Sequence, residues 1–355
     1  MQIKLNTKEL NRALNKLFLL IDKRDQGIMQ SVFFEATGGQ ITLKSGNVLN
    51  NLTITTSEDI LRAGNACIDA LALQKICKNI KAEEVVLEYQ EGEEVATIEA
   101  NNLLLKAPCF DPLNYPLGSF LYDFENAKEA TATGLIDAIN FVKVAMAKKE
   151  EARKYLVGVY LKNKKEEGKI EATATCGHWL LQTQIIGELV EDLFLDEVQV
   201  NLICKIFKDS QELKISTNKT FLKVDAGGIS FVLKSQEGNM SINFDTVKPD
   251  VSTIDNHYQI EAASFSSALL QILDDRKNHP VRLNWDGQGN LKLESKVGEL
   301  TLKSNGNALK TAFNAKYLIA ICKQLGDCRM SLRDGTSPAI FQTQTSISVL
   351  MPVRF

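Results

Sequence analysis

The chain has 355 residues, 44% of them hydrophobic and 24% charged, with a formal net charge of −3. That length holds two or three domains, and no apolar run approaches the roughly 20 residues needed to cross a bilayer. A compact nucleic-acid binder that relies on affinity alone is usually basic, so the net charge argues against nucleic acid unless the basic residues gather on one surface.

Met1 to Leu5 alternates as a strand and does not read as a signal peptide. Seven cysteines without a C-x-x-C pair, three of them on apolar helix faces, argue against a disulfide framework or a zinc site and point to the cytoplasm. The spacing of Leu10, Ala13, Leu14, Leu17, Phe18 and Ile21 predicts a helix from about Lys8 to Ile21. Strands are expected at Val32–Ala36, Ile41–Lys44 and Leu52–Thr55, then a helix around Cys77, then strands at Val85–Tyr89, Ala96–Glu99 and Leu103–Lys106. A segment with three prolines, Pro108 to Pro116, closes this first set.

The order then restarts. Tyr122–Glu125 leads into a helix with Leu135, Ala138, Ile139, Val142 and Met146 on its apolar face. Strands follow near Gly158–Leu161, Ile170–Thr173 and Leu181–Gln184, then a helix around Cys204, then Leu213–Ser216, Leu222–Asp225 and Ser230–Leu233. A third round opens at Tyr258–Glu261, with a helix carrying Phe265, Ala268, Leu269 and Ile272. Its strands are expected at Val281–Asn284, Leu291–Glu294 and Leu300–Lys303, and after the Cys322 helix at Arg329–Leu332, Ala339–Gln342 and Ile347–Leu350.

Three stretches tie the rounds together. Leu73 to Lys78, Val200 to Lys205 and Leu318 to Lys323 each carry the i, i+3, i+4, i+7 stripe of an amphipathic helix, with a cysteine on the stripe and a lysine beside it. The cysteines are 127 and 118 residues apart, so the repeating unit is the size of a domain. The expected fold is α+β: three copies of one domain, over residues 1–120, 121–254 and 255–355, each made of strand, helix and three strands performed twice.

Lysine and arginine collect on the expected helices. The first copy offers Lys8, Arg12, Lys16, Lys75 and Lys78. The second offers Lys143, Lys148, Lys149, Arg153, Lys205 and Lys208, and the third Arg276, Lys316 and Lys323. Acidic residues such as Glu83-Glu84 and Glu191-Asp192 fall in turns and strand ends. A common surface for the helices makes that surface positive in a slightly acidic molecule; lysines that merely solvate exposed helix faces read the same way.

Three segments resemble the bacterial DNA polymerase III β subunit, the sliding clamp: Ala174-Thr175-Cys176-Gly177-His178-Trp179-Leu180, Phe313-Asn314-Ala315-Lys316-Tyr317-Leu318, and the ending Val349-Leu350-Met351-Pro352-Val353-Arg354-Phe355. The resemblance spans the whole chain and implies the DNA clamp fold, with sheets outside and helices inside. It implies a head-to-tail homodimer closing into a ring around duplex DNA, held without sequence preference, with the cations named above facing it. It also implies a pocket for short peptide tails of the replicative polymerase and clamp-loader subunits. The matching positions there are Leu156, Thr175, Gly177, His178, Leu180 and Val247, with Asn314, Tyr317, Val349, Met351, Pro352, Val353 and Arg354. For the ring contact it implies Leu103 and Leu105 against Ile272 and Leu273, although all four also suit intradomain cores. The chain departs from the family at Cys176 (Asp is usual), at Trp179 (Arg), at Thr246 (often Arg) and at Ser241-Ile242 (Phe-Pro), changes that bear on which tail the pocket prefers.

No G-x-x-x-x-G-K-[S/T], H-E-x-x-H or G-x-S-x-G motif occurs, and His178, His257 and His279 are not grouped at ligand or triad spacing. The expectation is a processivity factor without a catalytic site, a cofactor or a membrane partner. The competing readings are a clamp-like scaffold that binds only proteins and, more distantly, a surface or carbohydrate-binding repeat protein.

Overall fold

The computed structural model describes residues 1–21, 27–47, 49–117, 123–125, 127–218, 220–235, 242–273 and 280–354. The first copy runs β1 (Gln2–Asn6), α1 (Thr7–Leu17), β2 (Ser31–Thr37), β3 (Gln40–Gly46), β4 (Asn50–Thr56), a short β5 (Asp59–Arg62), β6 (Gly64–Asp69), α2 (Ala70–Asn79), β7 (Glu84–Glu88), β8 (Val95–Ala100) and β9 (Leu103–Phe110). The second runs β10 (Glu129–Thr133), α3 (Leu135–Val142), β11 (Gly158–Lys164), β12 (Lys169–Thr175), β13 (Trp179–Ile186), β14 (Leu193–Asp196), α4 (Glu197–Ile206), β15 (Glu212–Thr217), β16 (Phe221–Ala226) and β17 (Ile229–Lys234). The third runs β18 (Asn256–Ile260), α5 (Ala262–Gln271), β19 (Pro280–Trp285), β20 (Asn290–Glu294), β21 (Glu299–Lys303), β22 (Leu309–Asn314), α6 (Ala315–Leu325), β23 (Cys328–Leu332), β24 (Ala339–Gln342) and β25 (Ser346–Leu350). Apart from β5, each copy is strand, helix and three strands, twice over.

Local chemistry starts the helices at equivalent places. Asn6 caps α1, accepting from the amides of Lys8 and Glu9 at 3.0 and 3.3 Å. The second helix of every copy begins after an Asp or Asn that does the same: Asp69 accepts from Ala72 N (2.7 Å), Asp196 from Gln199 N (2.9 Å) and Asn314 from Lys316 N (3.0 Å). The cysteine stripe is the buried side: Leu73, Cys77, Ile203, Cys204, Ile321 and Cys322 are all buried.

Two boundaries differ from expectation. Helix α1 ends at Leu17 rather than near Ile21, and Phe18 N and Leu20 N close it with bonds to Leu14 O and Leu17 O. The strand leading the second copy is Glu129–Thr133, not Tyr122–Glu125; Tyr122 lies outside the described residues. Gly134, at φ +73°, turns that strand into α3, a backbone position that suits glycine. Met146 falls beyond α3, after a 3-10 turn over Lys143–Ala145.

The leading strands change places. β6, which opens the second half of copy one, pairs with β2 of the first half, while β1 pairs with β7. β22 likewise pairs with β19, and β18 with β23. The sheets then continue from one copy to the next. β17 pairs antiparallel with β4 (Phe231 opposite Leu52), and β25 with β13 (Val349 opposite Leu180). Among the described residues the results are a 13-stranded sheet ending in β10 and β5, an 8-stranded sheet ending in β14 and β18, and a 4-stranded sheet, β21-β20-β19-β22. Because the joins cross copies, the chain forms two compact units: Met1–Ala132 with Asn201–Glu237, and Thr133–Val200 with Gly238–Phe355.

The hairpins repeat as well. Gly46 faces Asn51, Thr175 faces Leu180 and Glu294 faces Glu299, so β3–β4, β12–β13 and β20–β21 turn over the same number of residues. Ala100 opposite Leu103 and Ala226 opposite Ile229 make β8–β9 and β16–β17 equal tight turns.

Candidate functional site

In the second unit, His178, Asn314, Tyr317, Met351, Pro352, Val353 and Arg354 surround one cavity of about 300 Å³, together with Pro280. Three elements bring them there: the β12–β13 turn carries His178, the start of α6 carries Tyr317, and the segment after β25 crosses between them. That segment is held at both sides, by Met351 N donating to His178 O and Val353 N donating to Ala312 O of β22, each 2.9 Å. Thr175 shapes the turn: its hydroxyl donates to Trp179 O (2.7 Å) and accepts from Gly177 N (3.0 Å), with Gly177 at φ +84°.

One wall is aromatic. The Trp179 ring stacks on Tyr317 with centroids 5.6 Å apart and planes 19° from parallel. Burial, and then the neighbouring Cys176, push the Tyr317 phenol up to about 12, so it stays protonated, 3.8 Å from Cys176 Sγ. The open side is amphipathic: Met351 is 46% exposed, and His178 and Arg354 are exposed.

The remaining pocket positions are placed differently. Leu180 and Val349 face each other across β13 and β25 and are buried with Tyr160 and Phe244, with Ile242 packed alongside. Leu156 is buried with Ala147 and Val157, with Cys176 against them. Val247 is exposed at the end of a 3-10 turn, Phe244–Val247. Ser241 lies outside the described residues. Arg153 stands at the rim beside Gly177, where a Cβ would lie 3.4 Å from its Nη2, and it pairs with Glu151 at 2.9 Å.

The pocket thiol is a reporter. Cys67, Cys77, Cys204, Cys322 and Cys328 are buried, and burial pushes half-buried Cys109 up to about 12. Because the thiolate is the nucleophile, Ellman's reagent at pH 8 is expected to label Cys176 faster than buried Cys67, Cys77, Cys322 and Cys328 and than Cys109. A Cys176→Ser protein that keeps the fast phase when Cys204 is also replaced contradicts this.

Of the predicted cations, Lys8 and Arg12 of α1, Lys75 and Lys78 of α2, Lys205 of α4, Lys208 just beyond it, and Lys316 and Lys323 of α6 are exposed. Lys148 and Lys149 are exposed in the loop after the 3-10 turn, while Lys143 is half-buried and donates to Asn140 Oδ1 (2.6 Å). Arg276 lies outside the described residues. In the first unit Arg12, Lys16, Lys205 and Lys208 converge around one concavity.

Among the described residues, two apolar strand edges lack a partner on one side: the first half of β9, whose Cys109 and Phe110 pair with β6, and β21. On β9, Leu103 and Leu104 are 47% and 62% exposed and Leu105 is half-buried. β21 ends the four-stranded sheet. The turn before it, with Val297 56% exposed, is tied to the end of α5 by Ser295 Oγ donating to Ile272 O at 2.8 Å. Ile272 is buried, Leu273 half-buried and Leu270 57% exposed. Sequence reasoning missed Leu104, Leu270, Val297 and Pro280, whose roles depend on what lies across from them.

Among the described residues, no three His, Cys, Asp or Glu side chains group as metal ligands, and no helix is long and apolar enough to cross a membrane. No protein-family model matches the chain. It is 23% identical over 353 residues to the "Beta sliding clamp" of Pseudomonas aeruginosa, covering 92% of each, and 22% identical to that of Caulobacter vibrioides over the full length of both. Among solved structures, the sliding clamp (DNA polymerase III subunit beta) of Bartonella birtlesii bound to griselimycin superposes with a TM-score of 0.85 at 22% identity. The Helicobacter pylori β clamp bound to a DNA ligase peptide does so at 0.85 and 17%, both over the full length of the two chains. The chain is similar along its length to bacterial β sliding clamps and has the DNA clamp fold.

Proposed function

We propose that the protein is a DNA sliding clamp: two copies close head to tail into a ring, encircle duplex DNA without reading its sequence, and tether the replicative polymerase for processive synthesis. Its domains are residues 1–120, 121–254 and 255–355, with the helices lining the hole and the sheets outside. Polymerase and clamp-loader tails dock at the cavity between His178, Tyr317 and Met351, and the protein acts in the cytoplasm as a processivity factor with no catalytic site of its own.

The observation that carries this reading is the strand continuation between copies. β17 continues onto β4 and β25 onto β13. Among the described residues the third equivalent pair, β9 and β21, is not joined: beside β8, β9 meets only β6 of its own copy, at Cys109 and Phe110, and Leu103 and Leu104 stay exposed. An apolar edge left open is an assembly site or a liability, and the same join made between two chains ends both edges. Enclosure also accounts for a clamp with net charge −3, because a ring retains DNA topologically and needs only weak phosphate contacts.

Retention tests the proposal. Protein loaded on nicked circular DNA is expected to stay bound through salt washing and to leave when the circle is cut. Reversing Lys78, Lys205 and Lys323 together is expected to reduce loading by about tenfold or more, since each phosphate contact adds to the salt-dependent affinity. Retention that is indifferent to cutting removes the ring. Unchanged loading by the charge-reversed protein, with peptide binding intact, favours the protein-only scaffold.

A further inference from the structure

The first unit contains a cavity of about 920 Å³ whose apolar floor plays no part in the roles above, although the cations at its mouth are among those assigned to DNA. Small-molecule sites occupy about 300–1,000 Å³ and combine apolar walls with a few polar groups, and this one is built that way. Its floor is Leu10, Leu43, Ile54, Cys204 and Ile229, supplied by α1, β3, β4, α4 and the start of β17. Arg12, Lys16, Lys205 and Lys208 stand around it. Arg12 is paired with Glu9 at 2.6 Å. Lys16 is half-buried, and burial lowers its pKa; Asp209 opposes that, while Lys208 and Arg12 add to it. Glu58 also lines the cavity, so the opposing carboxylates are Glu9, Glu58 and Asp209 against four cations.

The cavity does not follow from the fold. At the second join, the residues equivalent to Ile54 and Ile229 are Thr183 and Ser346, which face each other in the same register. Their hydroxyls are hydrogen bonded at 2.8 Å, and Gln184 N donates to Thr345 O just as Thr55 N donates to Gly228 O. Counted from the capping residues Asn6 and Gly134, the position of Lys16 on α1 corresponds to Val144. An apolar floor under a cationic mouth is therefore not repeated at the second join.

We propose that this cavity binds a small organic anion: an aromatic or branched aliphatic body seated on Ile54 and Ile229, with one carboxylate, sulfonate or phosphate against Lys16 and Lys208. The apolar body replaces water over the isoleucines, and the anionic group offsets the cost of holding the Lys16 ammonium partly out of water.

Two dyes test it on the full chain: anionic 8-anilinonaphthalene-1-sulfonate and uncharged N-phenyl-1-naphthylamine. The sulfonate is expected to saturate one site per chain. Lys16→Gln with Lys208→Gln is expected to weaken it by about tenfold, as loss of charge-assisted contacts does, and to leave the neutral dye unchanged. Ala13→Phe, which fills the cavity from α1, is expected to abolish binding of both dyes. Tyr317→Ala, in the other unit, is expected to leave both bound. An unchanged ratio of the two affinities in the double lysine variant overturns the proposal, and so does a sulfonate signal that survives Ala13→Phe or disappears with Tyr317→Ala.

Discussion

Leu105→Glu is expected to convert the assembled protein into monomers at micromolar concentration. The repeat itself supplies the register of the contact. Since Gly46–Asn51 and Glu294–Glu299 are equivalent hairpin pairs, Asn51 of β4 corresponds to Glu299 of β21. Since Ala226–Ile229 and Ala100–Leu103 are equivalent, Ile229 of β17 corresponds to Leu103 of β9. Transferring the β17–β4 pairing, in which Ile229 faces Ile54 and Val232 faces Asn51, sets Leu103 opposite Leu302, Leu105 opposite Leu300 and Lys106 opposite Glu299 in a second copy. The faces agree: Leu105, Leu300 and Leu302 are half-buried, while Lys106 and Glu299 point outward and carry opposite charges.

Burying a leucine contributes about 1.5–3 kcal/mol, and placing a carboxylate among apolar groups costs more. A ring of two chains makes the contact twice, so the loss per dimer is at least about 3–6 kcal/mol, or about two to four powers of ten in Kd. Light scattering reads the mass, and circular dichroism checks the fold. Lys106→Glu alone is expected to weaken the dimer by a smaller factor and Glu299→Lys in the same chain to restore it, because cross-strand charge pairs contribute about 0.2–1 kcal/mol. A Leu105→Glu protein that remains dimeric, or a swap that fails to recover, removes this register.

Tyr317→Ala is expected to weaken peptide ligands at the 300 Å³ cavity by about thirtyfold or more, the cost of about 2 kcal/mol typical of a truncated aromatic anchor. The phenol ring forms a wall of the cavity and is the surface on which Trp179 stacks, so its loss both widens the site and frees the indole. Short synthetic peptides with apolar anchors, titrated by calorimetry, read the affinity. Leu180→Ala serves as the contrast. It removes a buried side chain beneath Phe244 and is expected to lower the melting temperature more than the affinity. Equal loss of affinity in both variants contradicts the view that Tyr317 touches the ligand and Leu180 does not.

The repeat was readable because helix and strand periods survive in every copy, as the Cys77, Cys204 and Cys322 stripes show. The short leading strands were not: Leu193–Asp196 has four residues and Leu309–Asn314 breaks alternation with Lys310-Thr311, so pairing with β11 and β19 defines them rather than local pattern. The cavity around Met351 was legible from its terminal motif, yet Pro280 was not, since nothing near it in sequence announces that it lies beside Val353. Leu180 and Val349 read as pocket residues because buried strand interiors and open grooves share composition. The anion cavity was invisible because α1, α4 and strands from two copies line it together, an arrangement that no window of sequence contains.

The swapped leading strands also govern how the chain comes to be folded. β18 finds its ladder only in β23, Tyr258 opposite Met330, and β4 receives β17 only when Phe231 has been made to face Leu52. β13 must wait for the last strand of all. Pairings so distant along the chain must close large loops before they gain any stability, which makes for slow acquisition of structure. A polypeptide emerging from the ribosome therefore carries unsatisfied ladders until synthesis ends, and the half-made product, rather than the finished one, is the species most in need of a chaperone.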